Sequence, residues 1–230
     1  MTHAYAPWMT EPDLAERVVR WALDGAIEAR GDGLGLRVIE PSAGDGAIAL
    51  RLFAQAEKVR SLTCVELHAE RFGALVDGFS RFVDALPAEM RERELARLDL
   101  RHRDFIAFSR EQAARDDSYF DLSVGNPPYD GGADTDHVSA ALDIASEVVA
   151  IVRSAFKHGD GRAGEVFERA ELIREAVLVK RPTFRDGTKP ASAKRGTPRH
   201  EFTVLHLRRR PVRVPIAEVR DNPRVEWWQT

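Results

Sequence analysis

Cysteine is nearly absent: Cys64 is the one cysteine in 230 residues. A lone thiol excludes an internal disulfide and a cysteine-based zinc site, and it fits a reducing cytoplasm. No metal is expected. There is also no apolar run of about 18 residues, the length a membrane-spanning helix needs, so no membrane partner is expected. The opening MTHAYAPWMTEPDLAE lacks the charged-then-apolar order of a secretion signal. Large net charge is missing too, since 34 Lys and Arg against 37 Asp and Glu leave −3, which alone points to no polyanion. Two phosphate-binding patterns are missing as well. The chain's glycine-rich turn is not GxGxxG, and it has no Lys-Ser/Thr to hold a triphosphate.

The even average hides an uneven distribution. Between Lys180 and Arg213 stand eleven Lys and Arg against Asp186 and Glu201, a local +9 that leaves −12 for the remainder. Such an asymmetry marks a segment that could meet a polyanion. With 43% hydrophobic residues, a chain of this length can build one sizeable α/β core and is too short for two ordinary domains. One domain is expected over 1–215, with 216–230 as a tail.

Helix and strand signals alternate. Apolar residues at 14, 18, 19, 22 and 26 form the stripe of an amphipathic helix, with Pro12 in its first turn. Strands are expected at 36–40, 61–66, 98–104, 119–125 and 148–155, and again at 175–181 and 201–208. Helices are expected at 47–55, 68–85, 87–98, 135–146 and 164–174. Such alternation specifies a parallel sheet with helices on both faces. Ligands in such sheets bind at the carboxyl ends of the strands, where the strand order reverses. The chemically interesting residues fall there: Glu40 and PSAGDG, then Glu66, Asp104 and Asn126.

Each strand end suggests a task. In PSAGDG, Gly44 and Gly46 let backbone approach a ligand, and the following helix offers free N–H groups. Glu66 lies 26 residues after Glu40, where an acid can accept from both hydroxyls of a ribose. The combination suits a nucleoside ligand with little phosphate.

In this order, VIEPSAGDGAIA (38–49), VELHAER (65–71), RDFIAF (103–108) and VGNPPYD (124–130) resemble motifs I to IV of S-adenosylmethionine-dependent methyltransferases. NPPY together with EPSAGDG is similar to the amino-methyltransferases that act on adenine N6 in DNA, and APWMTEPDLAE resembles their motif X. The resemblance implies a Rossmann-like class I methyltransferase fold, α/β, with a seven-stranded mostly parallel sheet, an antiparallel final strand and helices on both faces. It implies S-adenosylmethionine as cofactor. The methionine part would lie near Thr10, Glu40 and the turn Pro41, Ser42, Ala43, Gly44 and Gly46. Glu66, with Leu67 beside it, would hold the ribose, and Asp104 would accept from the adenine amino group beside Phe105. Glu11 intervenes where the family commonly has Thr-Pro, which weakens the match at Thr10.

The resemblance makes Asn126, Pro127, Pro128 and Tyr129 the catalytic set, with Asn126 also bordering the cofactor. An exocyclic amine is a poor nucleophile because its lone pair is delocalised into the ring. Two acceptors, the Asn126 side-chain oxygen and the Pro127 carbonyl, would favour a pyramidal nitrogen and stabilise the charge that grows on it. The prolines cannot rearrange and so preorganise the carbonyl. Tyr129 would offer a face on which a flipped base stacks.

PTFRDGTK (182–189) resembles the family's segment before the final hairpin, where Phe184 would be a second stacking face. The basic loop 185–200 is longer than a hairpin needs and would grip phosphates through Lys189, Lys194, Arg195 and Arg199. No recognition domain separates Glu40 from Asn126, so short or relaxed sequence specificity is expected, or specificity borrowed from a partner. Trp227 and Trp228 are expected outside the sheet, against the core or another subunit. RNA adenine, a protein glutamine amide and a non-catalytic binding subunit stand as alternatives to DNA adenine. N4-cytosine ranks lower, since those enzymes more often carry Ser in place of Asn126.

Overall fold

A computed structural model describes residues 8–30, 34–115, 119–179, 182, 185–186 and 201–229. Its elements follow the expected alternation. The first are β1 (Trp8–Met9), α1 (Pro12–Arg30), β2 (Leu36–Glu40), α2 (Ala49–Phe53), β3 (Val59–Glu66), α3 (Ala69–Asp84), α4 (Ala88–Ala96) and β4 (Leu98–His102). Next come α5 (Phe105–Ala113), β5 (Phe120–Gly125), α6 (Ala133–Ile144), β6 (Ala145–Arg153) and β7 (Ala170–Leu178). The last are β8 (Arg185–Asp186), β9 (Phe202–Arg209) and β10 (Arg224–Trp228). No helix among the described residues is long and apolar enough to cross a membrane.

Eight strands form one sheet in the order β10-β7-β9-β6-β5-β2-β3-β4. β9 runs antiparallel to both its neighbours, and every other pairing is parallel. Neighbouring residues on each strand serve opposite faces, as the pleat requires. Val38 of β2, Leu62 and Cys64 of β3, and Val149 and Ile151 of β6 pack with α1, α2 and α3. Ile39, Val65, Val148 and Ala150 pack with α5 and α6. The sheet grows outward in both directions from the β2–β5 pair, so the strand order reverses there. The ends of those two strands carry Glu40 and Asn126.

Two expectations need correction. Residues 164–174 are not a helix: one π-type turn, Ala163–Phe167, gives way to strand β7 at Ala170. Ala170, Leu172, Ala176 and Leu178 are buried in the sheet, and a register irregularity between Leu172 and Arg174 breaks strict alternation. That break is why the segment could imitate helical spacing. Second, the tail does not lie outside the sheet. Arg224–Trp228 adds an eighth strand, parallel to β7, at one edge. Trp228 is buried edge-on against Trp21 of α1, with ring centroids 5.5 Å apart, whereas Trp227 is 69% exposed. β9 is the expected antiparallel seventh strand, and it lies between β6 and β7.

The charged helix α4 is anchored as well as solvated. Glu94, 3% exposed, pairs at 2.6 Å with Arg97, whose guanidinium lies 4.0 Å from the Phe53 ring centre. Apart from the main sheet, β1 and β8 form a two-stranded ribbon with Trp8 opposite Asp186 and Met9 opposite Arg185. This ribbon fastens the segment that leads into Thr10.

Candidate active site

β2 ends in Glu40, a carboxylic acid only 2% exposed. Burial first, then the neighbouring Asp45 and Glu66, hold its pKa well above the usual carboxylate range. Its Oε2 is buried with no hydrogen-bond partner among the described residues. The chain then turns through Gly44 (φ +58°) and Gly46 (φ +93°), a backbone region that side chains avoid. At Gly46 space also matters, because a Cβ would come within 3.0 Å of Leu75.

The turn is tied to the next strand through Glu66. Its Oε2 accepts from the Gly44 amide at 2.7 Å and its Oε1 from the His68 amide at 2.7 Å. Each carboxylate oxygen can accept a second bond, so the orientation is fixed while acceptor capacity is left for a ligand. Beyond β4, Asp104 caps α5 by accepting from the Ala107 amide at 2.8 Å. Phe105 is buried beside it and stacks on His137 of α6, with centroids 5.5 Å apart at 29°.

Strand β5 delivers Asn126 to the same place. A Cβ on Gly125 would meet the Pro41 ring at 3.2 Å, so that glycine lets the ends of β5 and β2 close together. Asn126, 9% exposed, donates from Nδ2 to Thr10 Oγ1 at 3.1 Å, and its Oδ1 accepts from the Tyr129 hydroxyl. Thr10, Glu40, Pro41, Ser42, Ala43, Gly44, Glu66, Leu67, Asp104, Phe105, Asn126, Pro127 and Pro128 all line one cleft. Gly46 stands behind the turn, against Leu75.

Like Gly46, Tyr129 does not line the cleft. The ring is 5% exposed, joins the core on the α1 face and packs 5.2 Å from Phe202. A ring so enclosed presents no open face, and stacking of a base on it requires the ring to leave the core. Burial above all holds its phenol pKa well above the usual 10, so the hydroxyl stays a donor. Arg153, at the end of β6, donates to the Tyr129 carbonyl at 2.8 Å and lies 3.4 Å from the fully buried Asp134. Phe184, Lys189, Lys194, Arg195 and Arg199 lie outside the described residues.

The cleft also holds groups that motif spacing did not single out: His68, Arg71, Arg103 and His137. His137 Nδ1 lies 2.9 Å from the Ala133 carbonyl, and burial lowers its pKa, which favours the neutral ring. The expected helix contained His137, but no sequence signal said which face it would take.

A scan against protein-family models finds no match, and a search of curated proteins finds none. Solved structures do match. A proposed RNA methyltransferase from Pyrococcus horikoshii aligns with a TM-score of 0.58 at 15% identity, over 88% of this chain and 87% of that one. A proposed class I S-adenosylmethionine-dependent methyltransferase from Listeria monocytogenes aligns with a TM-score of 0.61 at 12% identity, over 95% and 64%. The methyltransferase subunit of a type I restriction-modification system from Streptococcus thermophilus gives 0.62 at 13% identity, over 89% and 45%. At such identities the likeness defines the fold: the chain adopts the Rossmann-like class I methyltransferase architecture, with an eighth strand beyond the expected seven.

Proposed function

We propose that the protein transfers a methyl group from S-adenosylmethionine to the exocyclic N6 amine of adenine in DNA, with the base flipped to the NPPY segment. One observation carries this reading: the Asn126 carboxamide and the doubly anchored Glu66 carboxylate border one cleft, at the reversal of strand order. The residues fit the cofactor. Buried, unpartnered Glu40 Oε2, with Asp45 and Glu66 near it, favours a ligand that brings positive charge. Glu66 has acceptor capacity for ribose hydroxyls, and Asp104 and Phe105 offer an acceptor and an apolar wall for adenine. When bound, S-adenosylmethionine supplies an electrophilic methyl on a sulfonium.

The chain's own contribution is orientation and charge stabilisation. Asn126 Oδ1 and the Pro127 carbonyl accept from the two amine hydrogens, which directs the nitrogen lone pair away from them and toward the methyl. As the new bond forms, positive charge grows on nitrogen and the same two acceptors stabilise it. No strong base is needed, because the amine becomes acidic only after methylation. Pro127 and Pro128 keep the carbonyl from reorganising.

The preference for DNA comes from the similarity to adenine N6 enzymes and from the +9 between Lys180 and Arg213. The fold neighbours include both a restriction-modification subunit and a proposed RNA methyltransferase, so RNA adenine is the second reading. The test is incubation with labelled S-adenosylmethionine and unmethylated DNA, RNA or protein, followed by nucleoside and residue analysis. N6-methyladenine in DNA is the expected product. Label confined to RNA selects the second reading, and label confined to protein overturns both. Asn126→Ala is expected to abolish transfer while cofactor affinity stays within a few fold.

A further inference from the structure

Asn126 is held at both ends of its carboxamide, and the two holders come from distant parts of the chain. Thr10 Oγ1, at the entrance to α1, takes the Nδ2 end, and the Tyr129 hydroxyl donates to the Oδ1 end. We infer that Tyr129 is a positioning residue that acts through its hydroxyl rather than its ring face, fixing the Asn126 carboxamide with its oxygen as the group presented to the substrate amine. This rests on the reading of Asn126 as the acceptor in amine methylation.

The two ends of a carboxamide have nearly the same shape and opposite hydrogen-bonding character. Oxygen accepts two bonds, while nitrogen only donates. An amide rotated by half a turn would point N–H at the substrate N–H, and the acceptor would be lost. A donor fixed on Oδ1 opposes that rotation. Tyr129 is well suited to such a role because it is itself immobilised. Its ring is 5% exposed and packs on Phe202. Its hydroxyl also lies 3.3 Å from the Ile151 carbonyl. Its own carbonyl is held by Arg153, whose guanidinium carbon lies 5.8 Å from the ring centre. The same enclosure that denies a base the ring face holds the hydroxyl oxygen against Asn126 Oδ1, with the Ile151 carbonyl as its competing, longer acceptor.

Tyr129→Phe separates the two roles, because it keeps ring, volume and burial and removes the hydroxyl alone. The expected result is a fall in kcat of roughly tenfold to a hundredfold, with KM for nucleic acid and affinity for S-adenosylmethionine within about twofold. A kcat equal to wild type overturns the assignment. A second measurement needs no substrate. The Asn126 side-chain amide resonances, identified by their loss in Asn126→Ala, should exchange slowly with solvent in the wild type and faster in Tyr129→Phe. Unchanged exchange overturns the inference whatever the protein methylates. Failure of the wild type to methylate any amine, with the exchange difference intact, would instead sink the functional reading and leave the positioning role standing.

Discussion

Glu66 at the end of β3 and Gly44 in the turn after β2, 22 residues apart in sequence, are joined by a 2.7 Å hydrogen bond from the Gly44 amide to Glu66 Oε2. With the His68 amide on the other oxygen, this bond makes the carboxylate part of the wall as well as a ligand group. Glu66→Gln keeps the shape but turns a donor toward one of two backbone N–H groups. It should therefore weaken folding by about 1–3 kcal/mol and cofactor affinity by about tenfold or more. Urea unfolding and calorimetric titration measure the two losses separately. A variant that unfolds more readily yet binds S-adenosylmethionine as tightly as wild type would confine Glu66 to a scaffold role.

Glu40 gives a pH dependence of definite sign. Its folded pKa is raised above the ordinary 4.5, so between these values the folded protein holds a proton that the unfolded chain has released. Its pH-dependent penalty is absent below pH 4.5 and progressively destabilises the ligand-free protein as pH rises from 4.5 toward the folded pKa. Glu40→Gln should remove that decline, so that its unfolding midpoint exceeds wild type at neutral pH and matches it in acid. A cationic ligand that draws Glu40 into ionised form releases the proton, so wild-type affinity for S-adenosylmethionine should rise with pH. In Glu40→Gln that rise should vanish.

Arg153 connects the NPPY segment to the helix that follows it. Arg153→Met keeps the aliphatic stem but frees the Tyr129 carbonyl and leaves the fully buried Asp134 without this cation. Since the arginine side chain is itself 27% exposed, the cost should be moderate, about 1–3 kcal/mol. Thermal unfolding checks it, and an unshifted midpoint would show that the contact holds nothing in place.

The basic stretch makes a prediction about salt. Changing Lys189, Lys194 and Arg195 together to Ala should weaken nucleic-acid binding and lower the slope of log affinity against log salt by about 2–3, close to one per phosphate contact. Fluorescence anisotropy at several salt concentrations measures it. An unchanged slope removes these cations from the interface.

Strand ends were legible in the sequence because a parallel sheet gathers its ligand groups on one edge, so Glu40, Glu66, Asp104 and Asn126 could be placed together without knowing any side-chain angle. Tyr129 shows where such reasoning stops. Its position in the motif was clear, but whether the ring faces the cleft or the core depends on Phe202, which arrives from a strand 73 residues later. His137 was hidden for a similar reason, as its helix was expected but the rotation of that helix about its axis was not. The segment from 164 misled because a π-turn and an irregular strand together mimic helical spacing. RVEWW looked like a tail because a five-residue edge strand has no pattern of its own until β7 supplies the partner.

That last strand has a consequence for how the molecule is made. Arg17 of α1 donates to the Gln229 carbonyl across 212 residues of sequence, and Trp21 donates to Glu226 across 205. α1 can pack against β5 and α2 without that strand, but Trp21 gains its Trp228 and Glu226 partners only once β10 has docked on β7. Contacts of such separation form late, since the closure entropy must be met before they contribute. Trp21 thus depends on the most distant strand of the sheet for its cover, and that patch of α1 is expected to close late in folding.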